Sequence, residues 1–166
     1  MKLILGSNWG PEEYFHNEFL STLYKQEGGY QNKASDSGNY SGGKLIGTNH
    51  GISAPVLKTY LGRTPTVDEM KNLTKETATK IYKKIFWTVT RAPEMEDKYV
   101  AVQYADMYVN GGKNAVKIMK RALNNLGSQL SVSYSVKEHF IDEVNNNDSK
   151  TLHEEFKKER MGKRLD

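Results

Sequence analysis

Glu27 is the residue of this chain whose type and setting best suit chemistry. It follows Phe15, Phe19 and Leu23 at steps of four, which puts it on the apolar side of a predicted helix, in the last turn. Desolvation there disfavours the carboxylate, as does the negative end of the helix dipole. Both effects raise the pKa toward the range in which a carboxyl stays protonated near neutral pH and serves as a general acid. The same spacing also describes an exposed glutamate in a final helical turn, and spacing alone leaves both readings open. Composition narrows the other chemistry. The 166 residues include no cysteine, which removes disulfides, thiolate nucleophiles and Cys-ligated metals. The four histidines (His16, His50, His139, His153) are scattered and form no His-x3-His pair, so no transition-metal site is expected; nothing in the sequence implies an organic cofactor either.

The elements that must position such a residue are mostly helices. Gly10-Pro11 suits a helix start, because proline fits the first turn, and Gly28-Gly29 suits its end. Seven of the 14 glycines fall between residues 28 and 51, which rules out a long helix there. That segment is expected to form turns or a short hairpin carrying a binding surface. Ser53-Ala54-Pro55 opens a short helix through Tyr60, and Thr66 to Glu69 fits a capping box. Thr74 is placed to cap a helix whose stripe of Ala78, Ile81, Tyr82 and Ile85 ends at Phe86-Trp87. Asp97 is placed to cap another, closed by Gly111-Gly112. A helix with Ala115, Val116, Ile118, Met119, Ala122 and Leu123 inside follows, then two more near 134–146 and 149–161. The composition change near 125–132 is the one candidate boundary. It divides a domain at 1–125 from a helical extension at 126–166 packed on it.

Charge and hydropathy exclude several classes. Net charge is +4, and residues 111–137 hold five basic and no acidic groups. These suit polyanionic partners, although solvated helix faces are the commoner reading of such runs. No RNP motif, zinc finger or basic region with heptads is present, so no nucleic-acid partner is expected. Mean hydropathy is −0.72 and no long apolar run occurs, so no stable membrane insertion is expected. The opening apolar run of Leu3-Ile4-Leu5 is too short for a secretory signal.

Glu27-Gly28-Gly29-Tyr30 resembles the signature of glycoside hydrolase family 108, whose members are N-acetylmuramidases of the lysozyme-like superfamily. The resemblance continues through Asp36, Gly42-Gly43, Thr48 and Gly51-Ile52-Ser53, in that order. It extends to Leu73-Thr74-Lys75-Glu76, Ile81 to Trp87, and Asp106-Met107-Tyr108-Val109-Asn110-Gly111-Gly112, covering about residues 14–125. It implies a mainly α, lysozyme-like domain with a Gly-rich loop or short hairpin after the first long helix. It also implies cleavage of the β-1,4 bond from N-acetylmuramic acid to N-acetylglucosamine in peptidoglycan glycan strands, with Glu27 as acid. Asp36, nine residues on, and Thr48 match the aspartate and threonine with which phage-type lysozymes of the superfamily hold a water and stabilise charge. Tyr30 and Tyr40 offer faces to sugar rings. Asp106 and Asn110, one helical turn apart, are expected to line the cleft or to tie the Gly111-Gly112 turn. Tyr82, Phe86 and Trp87 are read as core.

Two departures stand out. Eleven residues, Ser37 to Gly47, separate Asp36 from Thr48, where the family spacing is short. The family's C-terminal peptidoglycan-binding module is matched only faintly, with Ser131 to Lys137 replacing its glycine–proline element. A phage-type lysin or a virion-carried lysozyme is the expected setting, made in the cytoplasm of an infected bacterium and acting at the wall, with other virion proteins as candidate partners. The rival readings are a lytic transglycosylase, and a non-catalytic wall-binding or virion structural protein.

Overall fold

The computed structural model describes residues 9–21, 29–137 and 139–165. It is mainly helical, and the chain divides into two compact units, residues 13–85 and residues 86–166 with the start of the chain.

Helix α1 (Pro11–Tyr14) opens at the expected proline but runs into a π-helical segment, Phe15–Phe19, where the Leu20 amide donates to the Phe15 carbonyl. Phe15 and Phe19 are buried with stacked rings 5.8 Å apart. A π segment inserts an extra residue into the helical repeat. Phe15 and Phe19 still share the buried side that their spacing predicts, although the turn between them is π rather than α. Leu23 and Glu27 themselves lie outside the described residues.

In the unit of residues 13–85, the glycine-rich segment forms a 3-10 turn, Ser37–Asn39, followed by a hairpin of β1 (Tyr40–Ser41) and β2 (Lys44–Leu45). Tyr40 pairs with Leu45 and Ser41 with Lys44, so Gly42-Gly43 makes a two-residue turn. Both glycines have positive φ, +58° and +75°, as the tight hairpin turn demands. Helix α2 (Ala54–Leu61) is capped by the Ser53 hydroxyl and packs against this hairpin and turn. Helix α3 (Val67–Lys71) has the expected capping box with both halves formed, and α4 (Lys75–Tyr82) is capped by Thr74. Past Tyr82 the helix widens into a second π segment, Lys83–Trp87. Tyr82 is buried, as expected of core; Phe86 is only half-buried. Ile46, Ile52, Ala54, Leu57, Met70, Ala78 and Ile81 complete the interior of this unit.

Glu69 of the capping box also carries a bidentate ion pair with Arg63, at 2.8 and 2.6 Å. The Arg63 hydrogen bond, then the Thr66 amide, holds the Glu69 carboxyl down to about 2 from its ordinary 4.5. A depressed folded-state pKa stabilises above the unfolded value, and that stabilisation is lost as pH falls through the folded one. The advantage of wild type over Glu69→Gln in melting temperature should therefore be full above pH 4.5 and shrink toward pH 2. High salt should reduce it as well, because the pair is exposed.

In the other unit, Trp87 is fully buried and meets Trp9 edge-on with ring centroids 6.2 Å apart. Two 3-10 turns, Thr88–Thr90 and Ala92–Glu94, join at Arg91 in the left-handed region. Arg91 grips Glu94 through two bonds of 2.8 Å and donates to the Val136 carbonyl at 2.8 Å. Helix α5 (Lys98–Gly111) starts at its Asp97 cap and stops at Gly112. Helix α6 (Asn114–Asn125) is strongly amphipathic and packs along α8 (Ser149–Leu165), with α7 (Phe140–Asn146) beside it. The helix expected near 134–146 thus begins only at Phe140. Residues 126–137 are a loop, clamped where Asn124 Nδ2 donates to the Leu130 carbonyl and Asn124 Oδ1 accepts from the Leu130 amide, both at 2.8 Å. Tyr104, Phe140 and Phe156 form an aromatic centre, and the Tyr104 hydroxyl donates to the Thr90 carbonyl. Burial pushes that hydroxyl well above the usual phenol range. Among the described residues no helix is long and apolar enough to cross a membrane.

Candidate functional site

The candidate residues of the unit 13–85 gather where the base of the hairpin closes on the segment that precedes it. Gln31 and Thr48 form an antiparallel bridge, each amide donating to the other's carbonyl at 2.9 and 2.8 Å. The eleven intervening residues between Asp36 and Thr48 are therefore folded away as a 3-10 turn and hairpin. Their base returns Thr48 to the start of the segment. The Asn39 carbonyl closes that base by accepting from both the Ile46 and Gly47 amides.

Asp36 follows a turn at Ala34-Ser35 and caps the 3-10 turn of Ser37–Asn39. Its Oδ1 accepts from the Gly38 amide at 2.9 Å, the Asx-type bond that Asp-Ser-Gly favours. Its Oδ2 accepts from the Gln31 side-chain Nε2 at 3.1 Å. Gln31 Oε1 in turn accepts from Asn39 Nδ2 at 2.7 Å, and Asn39 Oδ1 accepts from the Thr48 hydroxyl at 2.6 Å. Asp36 and Thr48 thus stand at the two ends of one chain of hydrogen bonds, linked by two amides. Asn39 is fully buried, whereas Asp36 is exposed and Thr48 half-buried.

The two tyrosines are tied into the same frame. Tyr30 donates its hydroxyl to the Ile46 carbonyl at 2.8 Å, and its ring lies against Gly47 with the Lys71 ammonium 5.6 Å from the centroid. Tyr40 donates to the Ala34 carbonyl at 2.9 Å. Both hydroxyls are therefore engaged by backbone, and each ring is half-buried. The family-like Gly51-Ile52-Ser53 block serves the scaffold here: Ile52 is buried and Ser53 caps α2. His50 accepts the Tyr82 hydroxyl at its carbonyl, and Asn49 is buried with its amide on the Met70 and Lys71 carbonyls at the end of α3.

Asp106 and Asn110 belong to the other unit and make a group of their own. Asn110 Nδ2 donates to the Asp106 carbonyl at 2.9 Å and approaches its Oδ1 at 3.3 Å, while Arg160 of α8 donates to Oδ2 at 2.9 Å. The Asp-x-x-x-Asn spacing puts both on one face of α5, as expected, and there the carboxylate anchors a residue 54 positions away in sequence.

Gln31 and Asn39 are the residues that sequence reasoning did not select. Each is an ordinary amide in a polar, glycine-rich stretch. Their importance arises only because the hairpin brings Thr48 back beside them. No local sequence signal marks either of them.

The sequence profile of the family described as Glycosyl hydrolase 108 matches residues 20–112, which includes this whole hairpin site and reaches Gly112 at the end of α5. Among curated protein sequences, none matches the chain. Among solved structures, SagA of Brucella abortus is similar in fold, with a TM-score of 0.69 and 21% sequence identity over 93% of this chain and 81% of that one. The mainly helical, lysozyme-like fold with a short hairpin is thereby borne out.

Proposed function

Because the chain belongs to glycosyl hydrolase family 108 and is a glycoside hydrolase, we propose that it is an N-acetylmuramidase acting on peptidoglycan. The bond cleaved is the β-1,4 linkage from N-acetylmuramic acid to N-acetylglucosamine. Glu27 protonates the leaving glycosidic oxygen as the anomeric carbon acquires oxocarbenium character. Asp36 and Thr48 hold the water that completes hydrolysis, and the Asp36 carboxylate stabilises the developing positive charge. Tyr30 and Tyr40, with their hydroxyls tied to backbone, keep their rings in fixed orientation against a sugar's C–H face. Asp106 with Asn110 is assigned to holding α8 on α5 rather than to contact with the glycan.

The observation that carries this reading is the linkage of Asp36 to Thr48 within the matched region, despite the long insertion between them. A transglycosylase, whose nucleophile is the sugar's own hydroxyl, has no use for two acceptors held to grip a water. The test is digestion of purified peptidoglycan with products identified by mass spectrometry. Hydrated muropeptides ending in reducing muramic acid are expected. 1,6-Anhydro products would move the assignment to a transglycosylase, and no products from folded, wall-bound protein would leave only a binding role.

A further inference from the structure

The Lys33 peptide groups set the direction of every hydrogen bond between Asp36 and Thr48. A backbone N–H can only donate, and that of Lys33 donates to Gln31 Oε1 at 3.0 Å. The Gln31 oxygen must therefore lie on that side, and its NH2 must face Asp36. A backbone carbonyl can only accept, and that of Lys33 accepts from Asn39 Nδ2 at 2.9 Å. The same NH2 gives its second proton to Gln31 Oε1 at 2.7 Å. The Asn39 oxygen must therefore face Thr48, whose hydroxyl must donate to it at 2.6 Å. The Gly38 carbonyl, 3.5 Å from the same hydroxyl, is also an acceptor, so the Thr48 proton points inward in either case. Flipping either amide would set like against like. At Asn39, fully buried, water could not relieve the clash.

From this we infer that Gln31 and Asn39 are positioning residues, which make Asp36 and Thr48 both present only lone pairs toward the substrate side. The inference rests on the reading of Asp36 and Thr48 given above. A water touching both must donate a proton to each, which turns its own lone pair away from the protein and toward an electrophile. As the bond from that oxygen to the anomeric carbon forms, the glycosidic bond breaks. The leaving oxygen takes the proton of Glu27, and one water proton passes to Asp36. Among the described residues no ion pair touches Asp36, so Gln31 Nε2 and the Gly38 amide are the groups that hold its carboxylate in place.

Gln31→Glu tests this without emptying the site. A carboxyl there donates to Asp36 only while the pair shares a proton. Two carboxylates about 3 Å apart cannot both ionise without repulsion. The fraction of wild-type kcat that Gln31→Glu keeps should therefore fall by about tenfold between roughly pH 5 and pH 8, with KM little changed. Gln31→Met, similar in size and unable to bond, should lose kcat by about tenfold or more at every pH, with KM near wild type, when measured below its melting temperature; that temperature should be lower, because Asn39 Nδ2 and the Lys33 amide lose their acceptor. A Gln31→Glu pH profile parallel to wild type, or a loss confined to KM in either variant, would overturn the inference. If Gln31→Glu does not fold, the Gln31→Met kcat decides alone. Asp36→Asn and Thr48→Val, measured alongside, separate the two levels: full kcat in both would sink the reading of the site itself. Lost kcat there, with Gln31→Met at wild-type kcat, would sink only the role of the amides.

Discussion

Glu27→Gln is expected to lower kcat on peptidoglycan by about 10²–10⁴-fold, the range that a positioned general acid contributes, while leaving wall binding intact. Glutamine preserves the shape and hydrogen-bonding capacity of the side chain but has no proton to release to a leaving oxygen. Sugar alkoxides leave poorly without one, so the loss should appear in kcat rather than KM. The melting temperature should change little, since glutamine keeps the size and shape of the side chain. Residual turnover above about a tenth of wild type would show that another group supplies the proton, and would remove Glu27 from its proposed role.

Gly47→Ala should be among the most destabilising single-methyl additions in the molecule. Gly47 has φ of +104°, a conformation that side chains rarely adopt. An added Cβ would lie 2.6 Å from Tyr30 Cε1 and 2.7 Å from both Cζ and the hydroxyl oxygen. The ring cannot retreat cheaply, because its hydroxyl is bonded to the Ile46 carbonyl one residue earlier in the chain. Backbone strain and overpacking each cost about 1–3 kcal/mol, so a melting temperature lower by roughly 5–20 °C is expected for a chain of this length. Because Gly47 adjoins Thr48, activity should fall further than stability alone requires. In a Tyr30→Ala background the penalty of Gly47→Ala should shrink to its backbone part, and a double-mutant cycle measures the difference. A melting temperature within a degree or so of wild type would mean that the ring is not pinned as described.

What the sequence discloses about this fold is the part that is decided within four residues. The caps at Ser53, Thr66, Thr74 and Asp97 all form where a hydroxyl or carboxylate stands three positions before the amide it accepts. The hairpin is legible for the same reason, since adjacent glycines permit two consecutive positive φ angles at Gly42 and Gly43. The π segments at 15–19 and 83–87 are not legible, because an extra residue in a turn leaves no mark in the types of the residues that form it. The late start of α7 at Phe140 escapes notice too, since the loop before it is held by distant groups such as Arg91. At the candidate site Glu27, the proposed acid, with Asp36 and Thr48 stands out by type and order. The buried amide Asn39 does not, as nothing local distinguishes it from a solvated loop residue.

Lys33 serves the hairpin site through its peptide groups rather than its side chain. Its side chain is exposed, yet its N–H and C=O orient both amides. Any residue that keeps the local backbone supplies the same two groups, and proline alone lacks the N–H. Position 33 is therefore free to drift through nearly the whole amino-acid alphabet while the polarity of the site is inherited unchanged. A comparison of relatives that scores residues by side-chain identity would pass over the very peptide group on which Asp36 and Thr48 depend.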